Sequence, residues 1–143
     1  MLEAVQTALP ADVAIFAAAV ADWRVEGMSD RKLKKTKDGL PTLTFAENPD
    51  ILAHVSQLKM GRPALVVGFA AETNDVEANA TAKLKRKCCD WIVANDVSPE
   101  TGIMGGSENY VAIISQAGVE EWPRMSKDIV SRKLAQRIVE AIA

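Results

Sequence analysis

A cluster of basic side chains is the strongest chemical signal in the sequence. The segment SDRKLKKTKDG, residues 29–39, holds five of them within seven residues: Arg31, Lys32, Lys34, Lys35 and Lys37. Turn-forming residues from Gly27 to Pro41 surround the cluster, which predicts a loop rather than one face of a helix. A cationic loop suits a polyanionic ligand such as a phosphate chain. The alternative is a solvated surface loop, because Lys and Arg usually face water.

A second basic group lies in a segment with helical periodicity. Lys83 and Lys87 are spaced four residues apart, which puts both on one helix face, and Lys85 and Arg86 lie beside them. Like charges at this spacing repel by about a few tenths of a kcal/mol in an isolated helix, and a bound phosphate would reverse that repulsion. Two interpretations follow from the spacing: a phosphate contact, and an ordinary solvated helix face.

Polar residues follow several apolar runs, which is where ligands gather in open α/β sheets. Asp22 follows the first run, Glu72 lies in the segment GFAAET, and Asn95 with Asp96 follows the run WIVA. Their oxygens suit a metal ion or a ligand hydroxyl group. Capping of a turn or a helix is an equally good interpretation of Glu72 and Asp96.

The cysteines and the histidine do not form a metal-binding pattern. Cys88 and Cys89 are adjacent, without the spacing of a zinc site, and His54 is the one histidine in the sequence. We expect both cysteines to be small buried packing residues and His54 to occupy a surface or helical position.

Strands and helices alternate along the sequence, and that order predicts the fold class. Helices are predicted at 2–9, 49–59, 74–88 and 127–142, and strand-type segments at 13–20, 43–46, 65–70, 91–94 and 110–115. Asn74 and Glu77 resemble a capping box at the start of the third helix. Apolar runs such as ALVVGFA and WIVAN are typical of parallel strands buried on both faces. The prediction is an α/β fold, a Rossmann-like three-layer α/β/α sandwich with a mostly parallel sheet.

Length and composition limit the function classes. The 143 residues suffice for one domain, with 48% hydrophobic and 25% charged residues as in soluble globular proteins. The longest apolar run, at 13–21, has nine residues, whereas a membrane-spanning helix needs about 20. Without a signal-like N-terminus or spaced cysteines, a reducing cytoplasm is the expected location and no membrane contact is predicted. A pI near 5.5 argues against nucleic-acid binding.

Five motifs occur in a fixed order: AAAVADW, KLKK, NPDIL, GFAAET and AND. Together they resemble bacterial phosphopantothenoylcysteine synthetase, the ligase half of the bifunctional coenzyme A biosynthesis protein. The resemblance implies that CTP activates the carboxylate of 4′-phosphopantothenate as an acyl-cytidylate and releases pyrophosphate. The amine of L-cysteine then displaces CMP. Such a reaction brings anions together, so cations and a metal ion are needed to spread the charge of the transition state.

The resemblance also assigns roles to residues of this sequence. Lys32, the first lysine of KLKK, would be catalytic on a cationic lid, with Lys34 and Lys35 in lesser roles. Asp22 would hold Mg²⁺. The implied CTP contacts share their place in the five motifs or on the basic helix: Phe16, Ala17, Ala18, Asp22, Lys32, Pro49, Asp50, Ile51, Leu52, Phe69, Lys83 and Lys87. Phe16 departs from the family, which often has a smaller residue there.

The resemblance makes residues 1–143 part of a single synthetase domain, without the N-terminal strands and the GPTRE-like turn of the family. We therefore expect this chain alone to bind nucleotide without ligase turnover. A homodimer or larger homo-oligomer is implied, and FMN only where a decarboxylase half is present. A nicotinamide-dependent oxidoreductase would need a GxGxxG turn, which the sequence does not contain. A non-catalytic nucleotide-binding module remains an alternative.

Overall fold

The structure of the protein is a computed structural model that describes residues 1–27, 42–103 and 105–143. The helices and strands of these residues are, in chain order, α1 (Leu2–Ala8), β1 (Val13–Phe16), β2 (Trp23–Val25), β3 (Phe45–Glu47), α2 (Ile51–Ser56), β4 (Leu65–Glu72), α3 (Val76–Lys87), β5 (Trp91–Asp96), a 3₁₀ turn (Pro99–Thr101), β6 (Glu108–Ser115), β7 (Gly118–Ser126) and α4 (Lys127–Ile142). The chain forms two compact units. The first comprises Met1–Ala17 and Ile51–Ala143, and the second is Ala18–Asp50.

The first unit is built on a five-stranded sheet with the order β1-β4-β5-β6-β7. β1, β4 and β5 run parallel, whereas β6 is antiparallel to β5 and β7 antiparallel to β6. The predicted α/β class with parallel core strands is confirmed. β7 is not evident from the sequence, because its segment GVEEWPRMS contains a proline and buries only Trp122 among its nine residues. Such a strand lacks the apolar alternation that identifies a half-buried one.

Alternating side chains of the central strands point to opposite faces of the sheet, and each face has its own core. On one face, Val66 and Ile92 pack with Leu84 beneath the helices α1, α2 and α3. On the other face, Val67 and Val93 pack beneath α4. Both faces of the first unit are therefore covered, which confirms the predicted α/β/α layers.

The start of α3 differs from the predicted capping box. The N-cap is Asp75 rather than Asn74, and Asp75 has a left-handed backbone with φ 45° and no side-chain capping hydrogen bond. The carbonyl of Asn74 instead accepts a hydrogen bond of 2.9 Å from the side-chain amide of Asn79. The capping-box prediction is wrong, because the chain turns one residue later than the motif suggests.

The second unit contains a two-stranded antiparallel sheet in which Trp23 pairs with Glu47 and Val25 with Phe45. Trp23 and Phe45 share one face of this sheet, and both are more than half exposed. A strand close to β3 was predicted, whereas β2 was not, because three residues are too few to show a period. In the described part of the chain, no helix is long and apolar enough to cross a membrane.

Candidate functional site

The carboxyl ends of the parallel strands bring polar residues of two motifs together. In the register of β4 and β5, Glu72 pairs with Asp96, and Asn95 lies one residue earlier on the same strand. β1 ends further back, where Phe16 pairs with Gly68. The predicted polar edge is thus confirmed for Glu72, Asn95 and Asp96 within the first unit, as expected for an open α/β sheet.

Asp96 acts as a turn cap at this edge. Its Oδ1 accepts a hydrogen bond of 2.8 Å from the backbone N–H of Ser98. The side chain and the backbone of Ser98 both bond this carboxylate and hold the pKa of Asp96 below its usual value. Thr101 Oγ1 also donates to the Asp96 carbonyl, at 3.3 Å. These bonds favour the capping interpretation of Asp96 over a ligand contact.

The NPDIL and GFAAET motifs meet where Leu52 lies over Gly68. A methyl group added at Gly68 would lie 2.5 Å from Leu52 Cδ2 and 3.0 Å from Ile92 Cδ1. Phe16 and Leu52, both half-buried, pack against the same core under α3. Three residues of the predicted site or its motifs, namely Phe16, Leu52 and Gly68, therefore share one side of the sheet.

Phe69 lies on the opposite face. Its half-buried ring packs against the core of Leu65 and Val67 beneath α4. Its backbone, however, points back to α3, because the Phe69 carbonyl accepts a hydrogen bond of 3.0 Å from Lys83 Nζ. The structure thus joins two predicted contact residues through a main-chain oxygen and not through the aromatic ring.

The basic side chains of α3 divide into two environments. Lys83 and Lys87 are half-buried, whereas Lys85 and Arg86 are exposed. Lys83 comes three residues after Ala80, and Lys87 three residues after Leu84. Ala80 and Leu84 are buried in the core, and residues three apart are neighbours on a helix surface. Lys83 and Lys87 are consequently not part of a fully solvated helix face.

In the second unit, Asn48 links the segments that carry Asp22 and Pro49. Asn48 Nδ2 donates a hydrogen bond of 2.8 Å to the Ala21 carbonyl, and its backbone N–H donates one of 2.8 Å to the Asp22 carbonyl. Arg24 Nη1 donates to Asn48 Oδ1 at 3.3 Å and also to the Glu47 carbonyl. Sequence reasoning missed Asn48 and Arg24, although the dipeptide Asn48-Pro49 is itself a turn signal.

The remaining predicted site residues lie outside the described residues or are divided between the two units. Lys32, like Lys34 and Lys35, lies outside the described residues. Asp22, Ala18, Pro49 and Asp50 belong to the second unit and are exposed, whereas Ala17 and Ile51 belong to the first.

The described ranges contain no group of three or more His, Cys, Asp or Glu side chains that could hold a metal ion. Asp22 offers one exposed carboxylate. A single carboxylate suits Mg²⁺, which usually takes one or two protein carboxylates and completes its shell with substrate phosphates and water. The residues present therefore fit a metal ion that a nucleotide brings with it, and do not form a metal cage.

The cysteines differ from each other. Cys89 is buried, and this burial raises the pKa of its thiol to about 11. Cys88, the left-handed C-cap of α3 with φ 57°, is exposed, so the prediction that both cysteines are buried is wrong for Cys88. His54 is exposed on α2, as expected for a surface helix position. Its Nε2 atom lies 3.2 Å from Gln6 Nε2.

Comparison with known proteins gives a consistent set of relatives. The family model of the DNA/pantothenate metabolism flavoprotein C-terminal domain matches residues 1–142. The coenzyme A biosynthesis bifunctional protein CoaBC of Vibrio vulnificus strain CMCP6 is 43% identical over 128 residues, which are 89% of this chain and 32% of that protein. CoaBC of Bacillus subtilis strain 168 is 41% identical over 140 residues, 96% of this chain and 34% of that protein. The chain spans about a third of the length of these relatives.

Solved structures show the same fold. A crystal structure of the C-terminal domain of CoaBC superimposes with a TM-score of 0.71 and 33% identity, covering 96% of this chain and 58% of that one. A Cab2 mutant in complex with phosphopantothenate-cysteine matches with a TM-score of 0.62 at 17% identity, covering 90% of this chain and 45% of that one. The second match supports the fold alone.

Proposed function

This chain belongs to the DNA/pantothenate metabolism flavoprotein C-terminal domain family, and on that premise we propose that it serves coenzyme A biosynthesis as a phosphopantothenate–cysteine ligase. The observation that carries the proposal is the 33% identity over 96% of the chain to the C-terminal domain of CoaBC. The five motifs also occur in this sequence in the order in which the resembling ligase family has them.

The proposed reaction has two steps. A carboxylate oxygen of 4′-phosphopantothenate attacks the α-phosphorus of CTP, and pyrophosphate leaves with the electrons of the broken P–O bond. The amine of L-cysteine then attacks the acyl carbon, loses a proton, and expels CMP as the amide forms. Both steps concentrate negative charge, so they depend on fixed cations at the phosphates.

The cations of the proposed site have separate roles. We assign Lys32 to the activation step, as the lysine that stabilises the charge of the reacting phosphate. Lys83 and Lys87 are assigned to the triphosphate, because charge-assisted hydrogen bonds to phosphate are strong and directional. The half-buried position of Lys83 supports this assignment, since its ammonium group is held against β4 by the hydrogen bond to the Phe69 carbonyl.

The remaining contacts are assigned to the base, the ribose and a metal ion. Main-chain groups of Phe16–Ala18 and of Pro49–Leu52 are proposed to contact the nucleoside, with the apolar surface of Phe69 in addition. Asp22 is proposed to hold Mg²⁺, which would neutralise part of the triphosphate charge when bound. The close approach of Leu52 to Gly68, with Phe16 packed against the same core, supports a shared site for the NPDIL and GFAAET motifs.

Homo-oligomerisation is also part of the proposal, since the resembling family forms dimers or larger assemblies. Sedimentation of the protein across a concentration series would measure it. A monomer at all concentrations would contradict this part of the proposal without affecting the assignment of CTP.

The test of the proposed function is a calorimetric titration with CTP, ATP and NAD, each with and without Mg²⁺. We expect CTP to bind most tightly and Mg²⁺ to increase its affinity. In the full-length enzyme, pyrophosphate release that requires CTP and 4′-phosphopantothenate would establish the activation step, and Lys32→Gln should reduce that release more than it weakens CTP binding. Equal or tighter binding of NAD would contradict the proposal. CTP binding without pyrophosphate release by a protein that includes the rest of the synthetase domain would favour a non-catalytic nucleotide-binding module.

A further inference from the structure

The side chain of Asn48 makes two different hydrogen bonds within the second unit. Its Nδ2 group donates to the Ala21 carbonyl at 2.8 Å, and its Oδ1 atom accepts from Arg24 Nη1 at 3.3 Å. The residue is half-buried, although the neighbouring Glu47 and Pro49 are exposed. The amide is therefore held at both ends.

This pair of bonds restricts which residue can occupy position 48. The Ala21 carbonyl needs a donor, and the Arg24 guanidinium needs an acceptor, so one planar amide of this length satisfies both. An aspartate would keep the acceptor for Arg24 but would place a carboxylate oxygen against the Ala21 carbonyl, which has no proton to offer. An alanine would remove both bonds.

The Asn48 bonds determine the path of the chain beside Asp22. The amide holds the residue before Asp22, and the Asn48 backbone N–H binds the Asp22 carbonyl itself at 2.8 Å. Arg24, two residues after Asp22, closes the same group of contacts from β2. The backbone of Asp22 is thus fixed on both sides, which limits the positions that its exposed carboxylate can reach.

We propose that Asn48 is a positioning residue that holds the Asp22 carboxylate for the metal-bound nucleotide. This inference rests on the proposed function, because Asp22 is the residue to which the Mg²⁺ contact is assigned. Asn48 touches neither nucleotide nor metal in this role. It acts through the main chain of Ala21 and Asp22.

The test compares Asn48→Ala and Asn48→Asp with the wild-type chain by calorimetric titration of CTP with Mg²⁺, CTP without Mg²⁺, and CMP. Both variants lose the hydrogen bond from Asn48 Nδ2 to the Ala21 carbonyl, and this loss predicts a roughly three- to tenfold weaker affinity for CTP with Mg²⁺. The affinity for CMP should change least, because CMP lacks the outer phosphates to which the metal ion binds. Asn48→Asp should be affected at least as much as Asn48→Ala, despite its stronger pairing with Arg24.

Asn109→Asp is the matched control. It makes the same chemical change in the first unit, where Asn109 Oδ1 accepts from the Tyr110 backbone N–H and an aspartate would keep that acceptor. Its affinity for CTP with Mg²⁺ should equal that of the wild-type chain. Thermal unfolding of all variants shows whether they are folded at the assay temperature.

The outcomes separate this inference from the proposed function. If the wild-type chain shows no Mg²⁺-dependent CTP binding, the proposed function fails and the role of Asn48 with it. A second outcome is that the wild-type chain binds CTP with Mg²⁺, but the Asn48 substitutions lower the affinities for CTP and CMP equally or leave both affinities unchanged. In that case Asn48 has no positioning role. Unfolding of both variants at the assay temperature would likewise overturn the inference, because the role would then be stability alone.

Discussion

Lys83 shows at the residue scale how a binding group can be held in place before its ligand arrives. Its ammonium group donates to the Phe69 carbonyl at 3.0 Å, while the exposed Lys85 on the same helix makes no such bond among the hydrogen bonds described. Three donors are available on an ammonium group, so the bond to Phe69 leaves two for phosphate oxygens. A lysine anchored in this way loses less side-chain entropy on binding than a fully mobile one.

Replacement of Lys83 by alanine should therefore have two effects. The free energy of CTP binding should become weaker by roughly 1.5–3 kcal/mol, because charged hydrogen bonds are lost mainly at the β- and γ-phosphates. The free energy of CMP binding should change less. The free energy of unfolding should fall by about 1 kcal/mol with the bond to Phe69. Calorimetry and urea unfolding measure the two quantities.

Lys85→Ala is the control for Lys83, since it removes the same charge from an exposed position of α3. It should leave the free energy of unfolding unchanged to within about 0.5 kcal/mol. An equal loss of CTP and CMP affinity in Lys83→Ala would contradict a contact to the outer phosphates.

At the scale of elements, the close approach of α2 to β4 depends on the absence of a side chain at Gly68. Gly68→Ala should lower the free energy of unfolding by about 1–3 kcal/mol, because its methyl group would lie 2.5 Å from Leu52 Cδ2. The displacement of Leu52 should also weaken CTP binding. Urea unfolding and calorimetry check the two effects.

A smaller residue at position 52 separates the steric effect from other causes. In Gly68→Ala with Leu52→Ala, the clash with Leu52 is removed, so the double variant should be less destabilised than the sum of the two single changes. Simple additivity would show that the clash with Leu52 is not the reason for the loss.

The second element-scale contact joins β7 to α4 through Glu120. Its carboxylate accepts from the Trp122 indole N–H at 2.7 Å and from Arg137 Nε at 3.1 Å. The indole bond, followed by Arg137, holds the pKa of Glu120 below its ordinary value of 4.5. Lys133 Nζ lies 4.4 Å from the centre of the Trp122 ring, so Trp122 also makes a cation–π contact with α4.

The pH dependence of stability follows from this lowered pKa. Because folding favours the ionised form of Glu120, its contribution is fully present above pH 4.5 and is lost as the pH falls through the lower pKa of the folded state. Glu120→Gln should reduce stability at neutral pH and flatten the loss of stability below pH 4.5, as measured by urea unfolding from pH 7 to pH 3. The contribution is modest, since the side chain is 44% exposed.

Glu140→Gln is the comparison for this pH series, because Glu140 is an exposed residue of α4 that accepts from Gln136 on its own helix. Its stability curve should follow that of the wild-type chain. A Glu120→Gln curve with the same acid slope as the wild-type chain would contradict the role of this carboxylate.

For the whole molecule, the sequence predicts what local pattern determines and misses what distant pairing determines. β4 and β5 were predictable, since short apolar runs between turn signals are typical of parallel strands that are buried on both faces of a sheet. β2 and β7 were not, because a short or polar strand is identified only by its partner, as Trp23 is by Glu47. The bonds of Asn48 to Ala21 and Arg24 span more than 20 residues, and no spacing rule reveals them.

The two units should also differ in local stability. The second unit has a two-stranded sheet, which is marginal alone, whereas the first has five strands covered by helices on both faces. In hydrogen exchange, the backbone N–H groups of Glu26 and Asn48, which bond to Thr44 and Asp22, should therefore exchange well before those of the buried β5.

CTP with Mg²⁺ should slow exchange in residues 18–27 and 42–50, because a ligand that binds the ordered form stabilises it by mass action. CMP without metal should slow it less. Exchange at Asn48 as slow as in β5 would contradict the difference in stability, and exchange that CTP does not change would count against nucleotide contacts in the second unit.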